Sequence, residues 1–379
     1  MFDTIFDSRY WAPVPPAFWG VVFFVFGTMI GSFLNVVIYR LPLGLSIVSP
    51  PSHCPHCKYS IPWFLNVPLA TWLMLGGRCR NCRAPISPRY FFVELLTGLL
   101  FLACWNAFGR QSPALALVYG VFLAGLIAAT FIDFEHFIIP DEITIGGAMA
   151  GFVLSFFLPA MHGQQSLVGG LMSALLGMVV GGGVIYAILR LGKLMFGRHR
   201  IEFAGETRIV FSESAIHLPD RDIPYEDIFY RKSDAIVIEA HRLELVDRGY
   251  STARVRVALV AGELQINDER LNPEECKHME LTTSELVLPR EAMGLGDVKF
   301  MAAIGAFLGW QATVFSLMIS SMIGATVGVA LIICGKRAWS SKLPYGPYIA
   351  AAAAVWVFWG REIWNYFFVV MPGDGMPRM

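Results

Sequence analysis

The sequence predicts an all-α polytopic membrane protein of about eight transmembrane helices, with a small zinc-binding cytoplasmic loop and an inserted β-rich cytoplasmic domain. Three observations carry this. Of 379 residues, 55% are hydrophobic and only 15% are charged, where a soluble domain carries about 25%. One water-soluble core cannot bury that much apolar surface. The charge is also uneven: residues 198–291 hold 19 of the 29 acidic and 13 of the 29 basic residues, leaving ten carboxylate side chains elsewhere. Finally, two Cys-x-x-Cys pairs stand close together in a short Pro-containing stretch.

Eight apolar stretches read as spans: 18–39, 91–108, 114–132, 142–160, 167–190, 298–310, 312–335 and 347–368. Most approach the roughly 20 residues a bilayer requires; 298–310 is short. The first is not read as a cleaved signal, because residues 1–17 carry Asp3, Asp7 and one Arg without a basic start. Lys and Arg set the orientation. The loop 40–89 contains Arg40, Lys58, Arg78, Arg80, Arg83 and Arg89 and no acid, so it is expected on the cytoplasmic side. Threading eight spans from there puts both termini outside. Segments 191–297 and 336–346 then fall inside, and only Arg9, Arg110, Arg361 and Arg378 remain opposite.

The chain then divides into five parts. Residues 1–39 hold the N-terminal segment and first span, 40–89 the zinc loop, and 90–190 further spans. Residues 191–291 are the insertion and 292–379 the C-terminal spans. Within the insertion, Ala235–Ala240 and Arg254–Val260 alternate or are β-branched, Gly249 and Gly262 punctuate them, and a linker is expected around 272–280. No internal repeat is read. The glycines of 169–183 suit close helix packing.

Cys54 and Cys57 form one pair, Cys79 and Cys82 the other, with 21 residues between them. Four thiolates at this spacing suit a tetrahedral structural Zn²⁺, and a reducing compartment disfavours disulfides. A closed four-thiolate site orders the loop and performs no chemistry. His53 and His56 are read as bystanders, Cys104 and Cys334 as packing residues, and Cys276 has no assigned role.

Six carboxylates lie at cytoplasmic ends of spans: Glu94, Asp133, Glu135, Asp141, Glu142 and Asp297. A charge beside hydrocarbon is costly and is a functional candidate. Asp141 and Glu142 follow Pro140, where helix-dipole complementarity favours acids. Asp133 ends an uncharged span, and Asp297 stands in Met-Gly-Leu-Gly-Asp (293–297), where Gly294 and Gly296 allow a tight turn. A GxGD alone recurs by chance; at a membrane boundary with a second Asp it is far more specific. Two carboxylates in one site share a proton, which suits general acid–base hydrolysis of a peptide without metal or covalent intermediate. Lys299 is placed either to act on a nearby carboxylate or to snorkel. Asn35 and Arg40 are read as helix-end groups or as ligands for substrate or methyl donor, and 344–347 as a plain turn or a site lining.

The order and content of these motifs resemble the type IV prepilin leader peptidase/N-methyltransferases. The resemblance runs through Gly31-Ser-Phe-Leu-Asn-Val-Val-Ile-Tyr-Arg-Leu-Pro42, the paired Cys loop, and 87–98 (SPRYFFVELLTG). It continues through Ile132-Asp133 with Ile139-Pro140-Asp141, then Gly294-Leu-Gly-Asp-Val-Lys299 and Leu343-Pro-Tyr-Gly-Pro347. It implies that Asp133 and Asp297 are the catalytic pair of an inner-membrane aspartic peptidase, with Gly294, Gly296, Asp141 and Lys299 supporting. The implied substrates are prepilins or pseudopilins of type IV pilus or type II secretion systems, cut after a Gly at the cytoplasmic face. The new N-terminus, usually Phe, is then methylated from S-adenosylmethionine, a step to which the resemblance links Glu94. The chain departs from the family in path length: 163 residues separate the two aspartates, because the insertion interrupts a loop. That insertion is expected to regulate access or dock a pilus or secretion assembly protein. No nucleic-acid partner is expected.

Three other functions would leave different marks. A proton-coupled transporter would show helices broken at mid-membrane or a repeated half. A non-catalytic scaffold would tolerate Asn at 133 and 297. A protease cutting within spans would hold its acids at mid-membrane rather than at the edge.

Overall fold

The computed structural model describes residues 15–367 except 197, 213, 221, 226–227, 229–234, 246–247, 259–261, 273–277, 290–293 and 335–342. Cys276, most of the expected linker and the basic residues 336, 337 and 342 lie outside the described residues. The chain forms two compact units, one of residues 1–186 with 294–379 and one of 187–293.

The helices are α1 (Pro16–Arg40), α2 (Ala70–Met74), α3 (Pro88–Cys104), α4 (Pro113–His136), α5 (Asp141–Phe157), α6 (Leu167–Phe196), α7 (Leu295–Leu308), α8 (Trp310–Ile333), α9 (Gly346–Val355) and α10 (Arg361–Asn365); all belong to the first unit except the part of α6 beyond residue 186. Among the described residues, five stretches are long and apolar enough to cross a bilayer: Ala17–Leu43, Pro88–Gly109, Pro113–His136, Leu167–Gly192 and Trp310–Ile333. At 1.5 Å per residue, α4 reaches about 36 Å against a hydrocarbon core of about 30 Å. The other expected spans are also helical, but α5 has 17 residues and α7 has 14, and α9 gives way to a π-turn at Trp356–Gly360 before α10. Helix α7 stops at Leu308 because Gly309 adopts φ 84°, a conformation suited to glycine. At the other ends, Ser87 and Ser112 cap α3 and α4, their hydroxyls accepting the N–H of Arg89 and Leu115.

Helix α4 touches α1, α3, α5 and α9, and is the most buried of the long apolar helices. Helix α7 packs along α5 and also touches α8 and α9. The glycine-rich face of α6 meets α7 backbone to backbone: a Cβ on Gly177 would lie 2.1 Å from the Gly305 carbonyl oxygen, so a side chain there would push the helices apart. Several hydroxyls inside the spans bond the preceding turn, as where Thr97 donates to the Val93 carbonyl at 2.7 Å and Ser155 to Phe152 at 2.6 Å.

The second unit is an antiparallel sheet of strands β1 (Arg198–Phe211), β2 (Ala215–His217), β3 (Asp222–Pro224), β4 (Ile236–Ala240), β5 (Arg242–Leu245), β6 (Gly249–Tyr250), β7 (Ala253–Ala258), β8 (Glu263–Ile266), β9 (Glu269–Leu271) and β10 (Met279–Pro289). The order is β3-β2-β1-β10-β4-β7-β8-β9, with β5 pairing β10 and β6. Alternation in β4 and β7 buries Ile236, Ile238, Val255 and Val257 in one apolar cluster with Ile209, Leu243, Leu264 and Leu281. The expected linker is shorter than read, because Met279 and Glu280 already belong to β10. First and last strands pair from Arg198↔Pro289 to Phe211↔Met279, so the unit's two ends emerge side by side. At the β1–β3 edge, His217 bridges Asp222 at 2.7 Å and Ser212 at 3.0 Å. The spacing is that of a hydrolase triad, but the Ser212 hydroxyl also bonds both backbone groups of Ala215, so it closes a turn.

Candidate active site and thiolate cluster

Asp133 lies one turn before the end of α4 and is 6% exposed. The helix runs on to His136 and ends at Phe137 in the left-handed region, φ 55°, where the Phe137 N–H donates back to the Asp133 carbonyl at 3.0 Å. Asp297 is the third residue of α7 after the N-cap Gly294, whose backbone N–H its carboxylate reaches. This is the reciprocal half of a capping box. The fold brings Asp133 and Asp297 together, close enough for the charge of Asp133 to act on Asp297. Among the described residues, neither aspartate has an Arg or Lys partner.

Three chain segments meet here. Gly346, at the start of α9, donates its backbone N–H to Asp133 Oδ2 at 2.9 Å. Ile139, in the α4–α5 connection, sits between the two glycine-bearing turns: a Cβ on Gly296 would be 3.6 Å from its Cβ, and one on Gly346 3.0 Å from its Cδ1. The expected tight turn through the GxGD glycines is not what these residues form. Gly294 is extended at φ −73°, ψ 151°, and Gly296 is already helical.

The neighbouring acids behave differently. Asp141 opens α5 and accepts the Lys299 ammonium at 2.6 Å, pairing α5 with α7, so Lys299 is neither a lone snorkelling group nor bonded to the aspartate pair. Glu135 pairs with Arg89 at the start of α3. Glu142 lies in the first turn of α5, where the helix dipole favours it.

Glu94 is a buried acid on α3. It accepts the N–H of Leu69, itself at φ 60°, at 2.7 Å, and bonds Ser32. Nearby, Asn35 donates to the Tyr90 carbonyl at 3.1 Å and the Gly31 carbonyl at 3.3 Å, while its buried Oδ1 has no donor among the described residues. Arg40 binds the Ser46 carbonyl at 3.0 Å. The α1–α3 interface therefore holds a carboxylate and a donor-free oxygen, a set that fits a cationic methyl donor or an ammonium.

Cys54, Cys57, Cys79 and Cys82 converge, with all four Sγ within 4.8 Å of one another. Cys54–Cys82 is 3.8 Å and Cys57–Cys79 is 3.9 Å. A tetrahedron of Zn–S bonds of about 2.3 Å has edges of about 3.8 Å, so the thiolates fit that ion. The two halves are copies of one knuckle, a short repeat that the sequence reading passed over: residues 53–61 and 78–86 share Cys-x-x-Cys followed by a left-handed Lys58 or Arg83, at φ 58° and 59°. Each turn closes alike, Lys58 N–H to the Cys54 carbonyl and Arg83 N–H to Cys79. The Tyr59 backbone N–H and the Asn81 side chain hold the Cys57 thiol down at about 6. His53 faces the Pro51 carbonyl rather than the thiols.

Residues 25–108 match the bacterial peptidase A24 N-terminal domain, and 120–198 with 271–329 match the type IV leader peptidase family, together more than half the chain. The chain belongs to the type IV leader peptidase family. A prepilin leader peptidase/N-methyltransferase of Aeromonas hydrophila is 28% identical over 371 residues, covering 91% of this chain and 92% of that protein. One from Myxococcus xanthus is 47% identical over 161 residues, 41% of this chain and 47% of that protein. One from Pseudomonas aeruginosa is 26% identical over 362 residues, 89% of each. No solved structure matches. Both aspartates lie within the leader-peptidase match, and the four cysteines and Glu94 within the N-terminal one. The stretch 199–270 of the sheet unit falls outside both.

Proposed function

We propose that this leader peptidase family member is a multi-pass inner-membrane aspartic endopeptidase. It removes the basic leader of type IV prepilins or pseudopilins at the cytoplasmic face and methylates the new N-terminus. The observation that carries the peptidase reading is the meeting of Asp133 and Asp297 at the ends of two apolar helices, with no cation beside either among the described residues. Like charges this close favour one shared proton. The ionised member takes a proton from a water molecule, whose oxygen attacks the scissile carbonyl. The protonated member donates to that carbonyl oxygen, and proton transfer to the leaving nitrogen completes the cleavage.

On this reading all eight helical regions span or enter the bilayer, both termini lie outside, and the basic loop 40–89 marks the cytoplasmic side. The four thiolates hold a structural Zn²⁺ that orders the loop. S-adenosylmethionine, when bound, supplies an electrophilic methyl group. Glu94 and Asn35 Oδ1 accept hydrogen bonds from the substrate's terminal amine, and the Glu94 carboxylate takes up its proton. The sheet unit docks an assembly partner or controls access.

Co-expression with a prepilin carrying a Gly–Phe junction tests this by precursor size and N-terminal mass. Wild type yields a shortened, methylated product. Asp133→Asn and Asp297→Asn leave the precursor intact, and Glu94→Ala yields a shortened product without the added methyl. Processing by either Asn variant refutes the peptidase reading. Deletion of 199–289 without any change in processing or its control removes the role given to the sheet unit.

A further inference from the structure

We propose that the Leu343–Pro347 corner is a positioning device for Asp133. The Gly346 peptide N–H holds Oδ2 and leaves Oδ1 to handle the proton, and Tyr345 locks that peptide to α8. The proposal rests on the peptidase reading and deepens it.

Asp133 reaches the site from α4 and Asp297 from α7, so neither helix fixes the other's carboxylate rotamer. The donor that does fix one comes from a third place, 213 residues beyond Asp133 in the chain. It is a backbone group, so substitution cannot remove it without altering the chain around it. Pro347 follows at once as the second residue of α9, where its preset φ favours the first helical turn. Gly346 is required by space rather than by φ: a Cβ would lie 2.7 Å from Asp133 Oδ2 and 3.0 Å from Ile139 Cδ1. The carboxylate or the corner would have to move.

The preceding residue anchors the corner. The Tyr345 hydroxyl lies 2.9 Å from both Ser320 and Ser321 on α8, and its ring stands edge-on to Tyr348. Ser320 is fully buried and also donates to the Leu317 carbonyl at 3.1 Å. A hydroxyl held at two points within apolar surroundings fixes the backbone beside it more firmly than a solvent-facing loop would. The chain from α8 through Tyr345 and Gly346 to Asp133 is therefore continuous.

The test uses full-length protein in detergent or nanodiscs with a purified prepilin. Gly346→Ala should lower kcat on the order of 100-fold, the scale of a small misplacement of a reacting group. KM should stay near wild type, the pH–rate profile should move, and thermal unfolding should be unchanged. Tyr345→Phe should lower kcat several-fold, and Ser320→Ala with Ser321→Ala should match it. If Gly346→Ala also unfolds, Tyr345→Phe decides alone: a reduced kcat with an altered pH profile supports the device, and wild-type kinetics overturn it. Wild-type kcat and pH profile in Gly346→Ala overturn it directly. Those outcomes leave the catalytic pair standing if Asp133→Asn is inactive, whereas an active Asp133→Asn removes the reading beneath it.

Discussion

Two places in the membrane-embedded unit gather side chains from distant parts of the chain, and they do so in opposite ways. At the thiolate cluster, two copies of one knuckle present four like donors around a single point, each held by its own local turn. Such a site is complete once a cation fills it, and nothing in it is left to react. At the aspartate pair, α4 and α7 each deliver one acid, and a backbone N–H from the start of α9 holds one of them. The acids beside them have been given other partners, Glu135 with Arg89 and Asp141 with Lys299. Cations are thus available at this end of the helices, yet among the described residues none partners the pair. A closed set of donors builds structure; two like charges without a counter-ion retain the capacity to move a proton.

Asp133→Asn and Asp297→Asn should each lower prepilin cleavage on the order of 1000-fold, within the range for loss of general acid–base catalysis. Neither should lower the melting temperature, because each relieves a like-charge contact; a variant that is inactive only through unfolding would fail this expectation. Next, Cys54→Ser or Cys79→Ser should abolish stoichiometric zinc by elemental analysis and reduce cleavage less than the Asn variants do. Zinc release should also follow pH with a definite sign. A thiolate ligand must be deprotonated to bind, and the metal itself favours the thiolate. The metal should therefore be retained at neutral pH and lost only with acid, well below the range in which free thiols protonate, and zinc occupancy that does not fall with acid would count against thiolate ligation.

Glu94 sharpens the comparison, since its carboxylate both faces the α1–α3 interface and holds the Leu69 N–H. Glu94→Gln keeps an oxygen for that bond while losing the charge. It should lose N-terminal methylation by mass spectrometry yet keep cleavage near wild type. Glu94→Ala should additionally slow cleavage by loosening the loop, and equal behaviour of the two would refute the distinction. The smallest effect belongs to Lys299 and Asp141, both partly exposed. Such pairs contribute about 0.2–1 kcal/mol, so Lys299→Ala should slow cleavage only a few-fold. The swap Lys299→Asp with Asp141→Lys should restore much of the rate.

Much of this was legible in the sequence because it follows from chemistry confined to single residues. An uncharged apolar stretch ending in Asp133, and a GxGD opening another, mark two costly charges whatever the fold. Four cysteines mark a candidate metal site by their spacing, and their thiols do converge. The alternation around Ile236–Ala240 marks strands because side chains alternate faces. The Gly346 contribution was not legible, because a peptide N–H is the same at every position and only tertiary contact selects one. The partners of Glu135 and Asp141 were hidden for a related reason: Arg89 and Lys299 are 46 and 158 residues away. The knuckle repeat could have been found by sliding residues 53–61 onto 78–86, where the second and fifth residues are cysteines in both. Span lengths were harder to read, since the break at Gly309 and the π-turn after Val355 depend on local packing.

The central claim is that Asp133 and Asp297 act as one unit on one water. The most direct measurement compares single-turnover prepilin cleavage by purified Asp133→Asn, Asp297→Asn and the double variant, each checked for intact folding. Groups acting as a unit are non-additive, so the double variant should be no slower than the slower single one. Rate losses that multiply in the double variant, or substantial cleavage by either single one, would contradict the account.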